Sequence, residues 1–113
     1  MLVNIVIMPD PDAKRLMWFI FAGSRGGENR IKIIDFLKTR PYNINQLADA
    51  LGVDYKLVQH HIAVLERNNM VIKAGEKYGV LYFISTYLEA NIEAFNEIQA
   101  TMQKSRRNLD KSK

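Results

Sequence analysis

Two helix-forming runs, residues 46–51 and 55–67, are separated by only three residues, and this interval constrains the chain more than any other feature. Gly52 ends the first run, because glycine takes up the left-handed conformation without steric cost, and Asp54 is a good N-cap for the second. Two helices joined by so short a turn are the signature of a helix-turn-helix. At about 100° of rotation per residue, Val58, Ile62 and Leu65 converge on one face of the second helix. Lys56, His60 and Arg67 lie almost diametrically opposite, flanked by Gln59 and Ala63. That helix packs inward and offers a polar outer rail.

The neighbouring segments complete a pattern. Upstream, a helix starting near Asn29 and reaching Arg40 buries Ile31, Ile33, Ile34 and Leu37, leaves Lys32, Asp35 and Lys38 in water, and stops before Pro41. A short extended piece, residues 42–44, leads to Asn45, the expected N-cap of the helix over 46–51. Downstream, Asn68 and Asn69 close the second helix. Residues 70–74 and 80–85 are then two β-prone runs separated by Gly75, Glu76, Lys77, Tyr78 and Gly79, which reads as a hairpin with a glycine at each end of its loop. Helix, helix-turn-helix, hairpin is the order of a winged helix. The expected architecture is therefore mainly α with a small β-hairpin, a winged helix-turn-helix domain over residues 23–86 with extra helices at both ends, assembled as a dimer.

The flanks supply the reason for a dimer. Asp10 followed by Pro11 reads as an N-cap with proline at the first helical position, opening a helix to about Ala22. Leu16, Met17, Trp18, Phe19, Ile20 and Phe21 leave its second half no solvent face, so protein must cover it on more than one side. A chain of 113 residues is short, and a second copy is the expected cover. Residues 1–22 are thus an arm and helix for dimer or core packing, with residues 2–8 either a strand or a helical arm. At the other end Thr86 is the expected N-cap, with Glu89 as its capping-box partner, of a helix reaching about Lys104. Its stripe of Leu88, Ile92, Phe95, Ile98 and Met102 has the spacing by which one helix pairs with another. The expected dimer interface is Leu16, Trp18, Phe19 and Ile20 together with that stripe, residues 87–104 being the dimerisation helix. Residues 105–113 are a basic tail, and 103–113 hold five bases and one acid.

Composition removes several classes of function. With no cysteine there is no disulfide framework, thiolate zinc site or cysteine nucleophile, and the chain suits a reducing cytoplasm. The apolar runs at 2–8 and 16–22 are seven residues each, far short of the roughly 20 that span a bilayer, and Pro9, Asp10, Pro11, Asp12, Lys14 and Arg15 separate them. No Lys or Arg precedes the first run, as a signal peptide requires. Scattered serines, two helical histidines and dispersed carboxylates form no spacing with a catalytic mechanism, so an enzyme is not expected. The net charge of +4 favours a polyanionic partner.

The ordered set at residues 45–85, NQLADALGVDYKLVQHHIAVLERNNMVIKAGEKYGVLYFIS, resembles the winged-helix repressors of the ArsR type, and in particular archaeal members of that group. The likeness covers a capped helix, a glycine turn, a recognition helix with His before an apolar residue, and a glycine wing ahead of a Tyr-containing strand. The resemblance implies a homodimeric DNA-binding transcription regulator whose terminal helices pair across a two-fold axis. It departs from the metal-sensing branch, which uses thiolates on the recognition helix or His and carboxylate ligands on the last helix; here Cys is absent and residues 88–113 contain no His. No metal and no cofactor is expected, and the sequence specifies no effector.

The expected partner is double-stranded DNA. Lys56 and Gln59 are placed for base readout, because Lys meets guanine O6 or N7 and Gln pairs with adenine N6 and N7 in the major groove. Tyr55 at the helix start and His60 on the outer face join them, as do Asn45 and Gln46 on the preceding helix. Lys73, Lys77 and Tyr78 have the composition of a wing that touches phosphate or the minor groove. Ser24, Arg25, Gly26, Gly27 and Arg30 form either an anion site at a helix N-terminus, which makes Arg25 and Arg30 phosphate contacts, or a hinge. His61 falls within the apolar arc and reads as a hydrogen-bonded core histidine. The rival reading is a winged helix that docks another protein, since residues 23–87 hold nine bases against six acids, a thin excess for a strong DNA binder.

Overall fold

The computed structural model describes residues 9–111, and the undecided segment 2–8 lies outside them. Six helices and one hairpin follow in the order α1 (Ala13–Phe21), α2 (Gly27–Thr39), α3 (Ile44–Leu51), α4 (Tyr55–Arg67), β1 (Val71–Ala74), β2 (Leu81–Ile84), α5 (Thr86–Ala90) and α6 (Ile92–Lys111). The architecture is mainly helical with a small antiparallel wing. β1 and β2 pair with Val71 opposite Ile84 and Lys73 opposite Tyr82. The extended piece before α3 adds a third rung, because Tyr82 N–H donates to the Tyr42 carbonyl at 2.8 Å and Tyr42 N–H returns the bond at 3.3 Å.

Helical periodicity explains what is buried. Val58, Ile62 and Leu65 of α4 are closed off with Ile33, Ile34 and Leu37 of α2 and Leu47 of α3, while α1 lies along α6. Phe21 meets Phe95 edge-on, ring centroids 5.0 Å apart at 82°, the arrangement that sets a positive ring edge against a negative face. Gly52 stands at φ 70°, the left-handed residue that lets α3 turn into α4 within three residues.

Several element boundaries differ from the sequence expectation, three of them because a side chain finds a nearer partner. Helix α1 begins at Ala13, not next to Pro11, since the Asp10 carboxylate accepts Asp12 N–H at 2.9 Å and makes a turn ahead of the helix. Asn43, not Asn45, caps α3: its side chain accepts Gln46 N–H at 2.8 Å, and Gln46 Oε1 accepts Asn43 N–H at 2.9 Å, a reciprocal capping box. Ser85, not Thr86, caps α5, accepting Leu88 N–H at 3.0 Å. Helix α2 begins at Gly27, two residues ahead of Asn29, after a left-handed Gly26 that supplies no side-chain cap.

The expected single terminal helix is two helices. Asn91 breaks it because its carboxamide is drawn elsewhere: Nδ2 donates to the Tyr87 carbonyl at 2.9 Å and Oδ1 accepts Asp10 N–H at 2.9 Å. Helix α6 then continues to Lys111, past the expected end near Lys104, with Arg106 ion-paired to Glu28 of α2.

Candidate nucleic-acid interface

The outer face of α4, the first turn of α3 and the wing enclose an open cleft of about 700 Å³. Of the residues expected to touch DNA, the cleft gathers Asn45 from α3, Tyr55 and Gln59 from α4, and Lys73 and Lys77 from the wing. The local sequence brings them there. The three-residue turn aims the start of α4 outward, and burial of Val58, Ile62 and Leu65 forces Tyr55, Lys56, Gln59 and His60 into solvent. Lys56 and His60 are exposed on α4 but do not line the cleft. Gln46 is exposed with its carboxamide oxygen committed to the capping box. Tyr78 lies in the short turn Lys77–Gly79, where Lys77 itself adopts φ 48°.

The structure also places residues here that sequence reasoning passed over. Asn43, Ile44, Glu76 and Tyr82 share the cleft wall, and Glu76 offsets part of the charge of Lys73 and Lys77. Tyr82 is buried at the base. Burial, then Glu66 and Tyr55, raise its pKa above the ordinary phenol value, so its hydroxyl keeps its proton at neutral pH. Just ahead of the wall, the Arg40 guanidinium sits 3.7 Å from the ring centroid of Tyr42, a cation–π contact that holds an exposed charge in place. The Asn43-x-x-Gln46 spacing was the signal that could have placed this wall.

Arg30 is not an anion contact. It is 3% exposed, and its guanidinium donates to the Ile20 carbonyl at 3.0 Å, the Arg25 carbonyl at 3.1 Å and Ser24 Oγ at 2.6 Å. With three of its five N–H groups so committed and a fourth directed at His61, this buried cation is not presented to phosphate. Arg25 remains exposed on the α1–α2 turn, outside the cleft. His61 is buried as expected of a core histidine, its Nδ1 lying 3.1 Å from Arg30 Nη1. Burial, then Arg30, then His60, lower its pKa to about 4, so it is neutral at pH 7.

The surface expected to pair with a second copy divides in two. Ile20, Leu88, Phe95 and Ile98 are covered by the chain's own helices and have no surface to offer. The stripe on α6 is a pairing seam, but Phe95 at its centre is met by Phe21 of the same chain. Trp18 and Phe19 stay 46% and 65% exposed, with Leu16, Ile92 and Met102 half-buried. Among the described residues no helix is long and apolar enough to cross a membrane, and no cluster of three or more His, Asp or Glu side chains is arranged to hold a metal.

Residues 27–73 match the family model described as bacterial regulatory protein, arsR family, a family of regulatory proteins and not of enzymes. Curated proteins give no match to the chain. Solved structures do. HlyU from Vibrio cholerae is similar with a TM-score of 0.59 at 21% identity, over 85% of this chain and 96% of that one. A homodimeric winged helix-turn-helix DNA-binding domain from Mycobacterium bovis, a possible ArsR-family transcriptional regulator, gives 0.54 at 16% identity over 93% and 94%. The adhesin competence repressor of Streptococcus pyogenes gives 0.54 at 14% over 86% and 77%. The element order, the wing and these likenesses together give the chain a winged helix-turn-helix fold, similar to that of ArsR-type regulators.

Proposed function

We propose that this protein is a cytoplasmic, homodimeric transcription regulator that binds a pseudo-palindromic duplex. The observation that carries this reading is the cleft in which Gln59, on the outer face of α4, stands between the start of α3 and the lysines of the wing. Gln59 and the exposed Lys56 read base edges in the major groove. Tyr55, His60, Asn45, Gln46, Arg25 and the wing residues Lys73, Lys77 and Tyr78 set register on the backbone. Two copies joined through Trp18 and Phe19, with Leu16, Ile92 and Met102 at the margin, present two such faces to successive major grooves about 34 Å apart. The DNA-binding and homodimeric character of the Mycobacterium bovis domain supports both halves of the reading.

Selection of bound duplexes from a random pool, followed by footprinting, tests it. The expected result is an enriched inverted repeat with protection of two adjacent major grooves. Enrichment of nothing, with no retardation of random duplex at low or moderate salt, overturns it. That outcome leaves the protein-docking reading, which the exposed Leu57 on α4 and Ile72 on the wing favour.

A further inference from the structure

One side chain fastens the α1–α2 turn to the reading helix. Arg30 holds the last turn of α1 through the Ile20 carbonyl, holds the turn itself through Ser24 and Arg25, and reaches His61 of α4. A guanidinium only donates, so His61 Nδ1 is the acceptor and the imidazole is fixed as the neutral tautomer with its proton on Nε2. That Nε2 is buried and has no hydrogen-bond partner among the described residues. Gly26 stands at φ 87°, and a Cβ there would lie 2.6 Å from Cε1 of His61 and 3.1 Å from Arg30 Nη1, so the turn is pressed directly onto the pair. No ion pair to Arg30 is found among the described residues. A cation buried among carbonyls and a neutral imidazole is an expensive way to join two helices, and it gives what an apolar contact lacks, a fixed direction.

The two helices it joins have different duties. Helix α1 carries the exposed Trp18 and Phe19, and α4 carries Lys56 and Gln59. We propose that Arg30 is a positioning residue that fixes the angle between α1 and α4 and thereby sets the half-site spacing accepted by the dimer. The inference rests on the DNA-reading dimer proposed above. Its physical basis is symmetry: any rotation of α4 against α1 occurs in both subunits, whereas each added base pair turns one half-site by about 36° about the duplex axis. A loosened link therefore broadens spacing preference before it weakens contact at one half-site.

The test uses the full chain, the selected operator with its centre lengthened or shortened by one or two base pairs, and a duplex carrying a single half-site. Wild-type protein is expected to favour the native centre by about tenfold or more. Arg30→Met, dimeric by sedimentation equilibrium, is expected to keep half-site affinity within about twofold while its spacing preference falls below about threefold. Arg30→Lys restores part of the preference. A folded, dimeric Arg30→Met protein with the wild-type spacing profile overturns the proposal. So does one that loses half-site and full-site affinity equally, which makes Arg30 a general stabiliser only. If Arg30→Met does not fold, His61→Met removes the α4 end of the link alone and is read by the same outcomes. Failure of the wild-type protein to select any duplex is a separate result, and it removes the DNA-reading dimer itself.

Discussion

A proton added to His61 sets a second cation beside Arg30 in a buried site, with Nδ1 and Nη1 only 3.1 Å apart. The folded-state pKa of about 4 lies below the ordinary 6.5, so between these values the unfolded chain binds more protons than the folded one. Stability is therefore complete above about pH 6.5 and declines as pH falls toward 4, by an amount on the order of 2–3 kcal/mol. Denaturant unfolding of wild type and His61→Met across this window checks it, the variant losing much of the slope. At Gln59, the alanine variant is expected to change which sequence is preferred, as read by repeating the selection. Lys77→Gly is expected to weaken all duplexes alike and to lower the salt slope by about one unit. Because Lys77 is left-handed, the same change is expected to hold or raise stability, by up to about 1 kcal/mol. The two neighbouring histidines were legible from helical rotation alone, one inward and one outward. Arg30 was not: a guanidinium reads as a surface group until the end of another helix brings carbonyls to it.

At the scale of elements, caps decide the boundaries. Asn43→Ala removes the side chain that accepts Gln46 N–H and should destabilise the fold by about 1 kcal/mol in thermal or denaturant unfolding. Asn45→Ala, exposed in the first turn, should change stability by less than about 0.5 kcal/mol, and any effect should appear in duplex affinity. Helix α4, the hairpin and the glycine that ends α3 were readable in sequence because each depends on periodicity or a nearby residue. The break at Asn91 was not, because it depends on Asp10, 81 positions away. No Gly or Pro interrupts residues 86–104, so the sequence reads as one helix; tertiary hydrogen bonding at Asn91 overrides it.

For the whole molecule, the exposed aromatic pair on α1 is the test of assembly. Replacing Trp18 and Phe19 together with serine is expected to give a soluble monomer by sedimentation, with weaker full-site binding and preserved half-site binding. Neither side chain is needed inside the subunit, since Met17, Ile20 and Phe21 fill the core from the same helix. The amino-acid order alone determined the winged helix-turn-helix and the outward face of α4, because short-range periodicity, turns and glycines encode these within a few residues. Only the tertiary structure decided that the centre of the α6 stripe, Phe95 and Ile98, is buried within the same chain, with Phe95 against Phe21 of α1, and that Arg30 points inward to the end of α1. An apolar stripe records that a partner exists without saying which segment supplies it, and a buried cation is stable only where the fold turns carbonyls toward it.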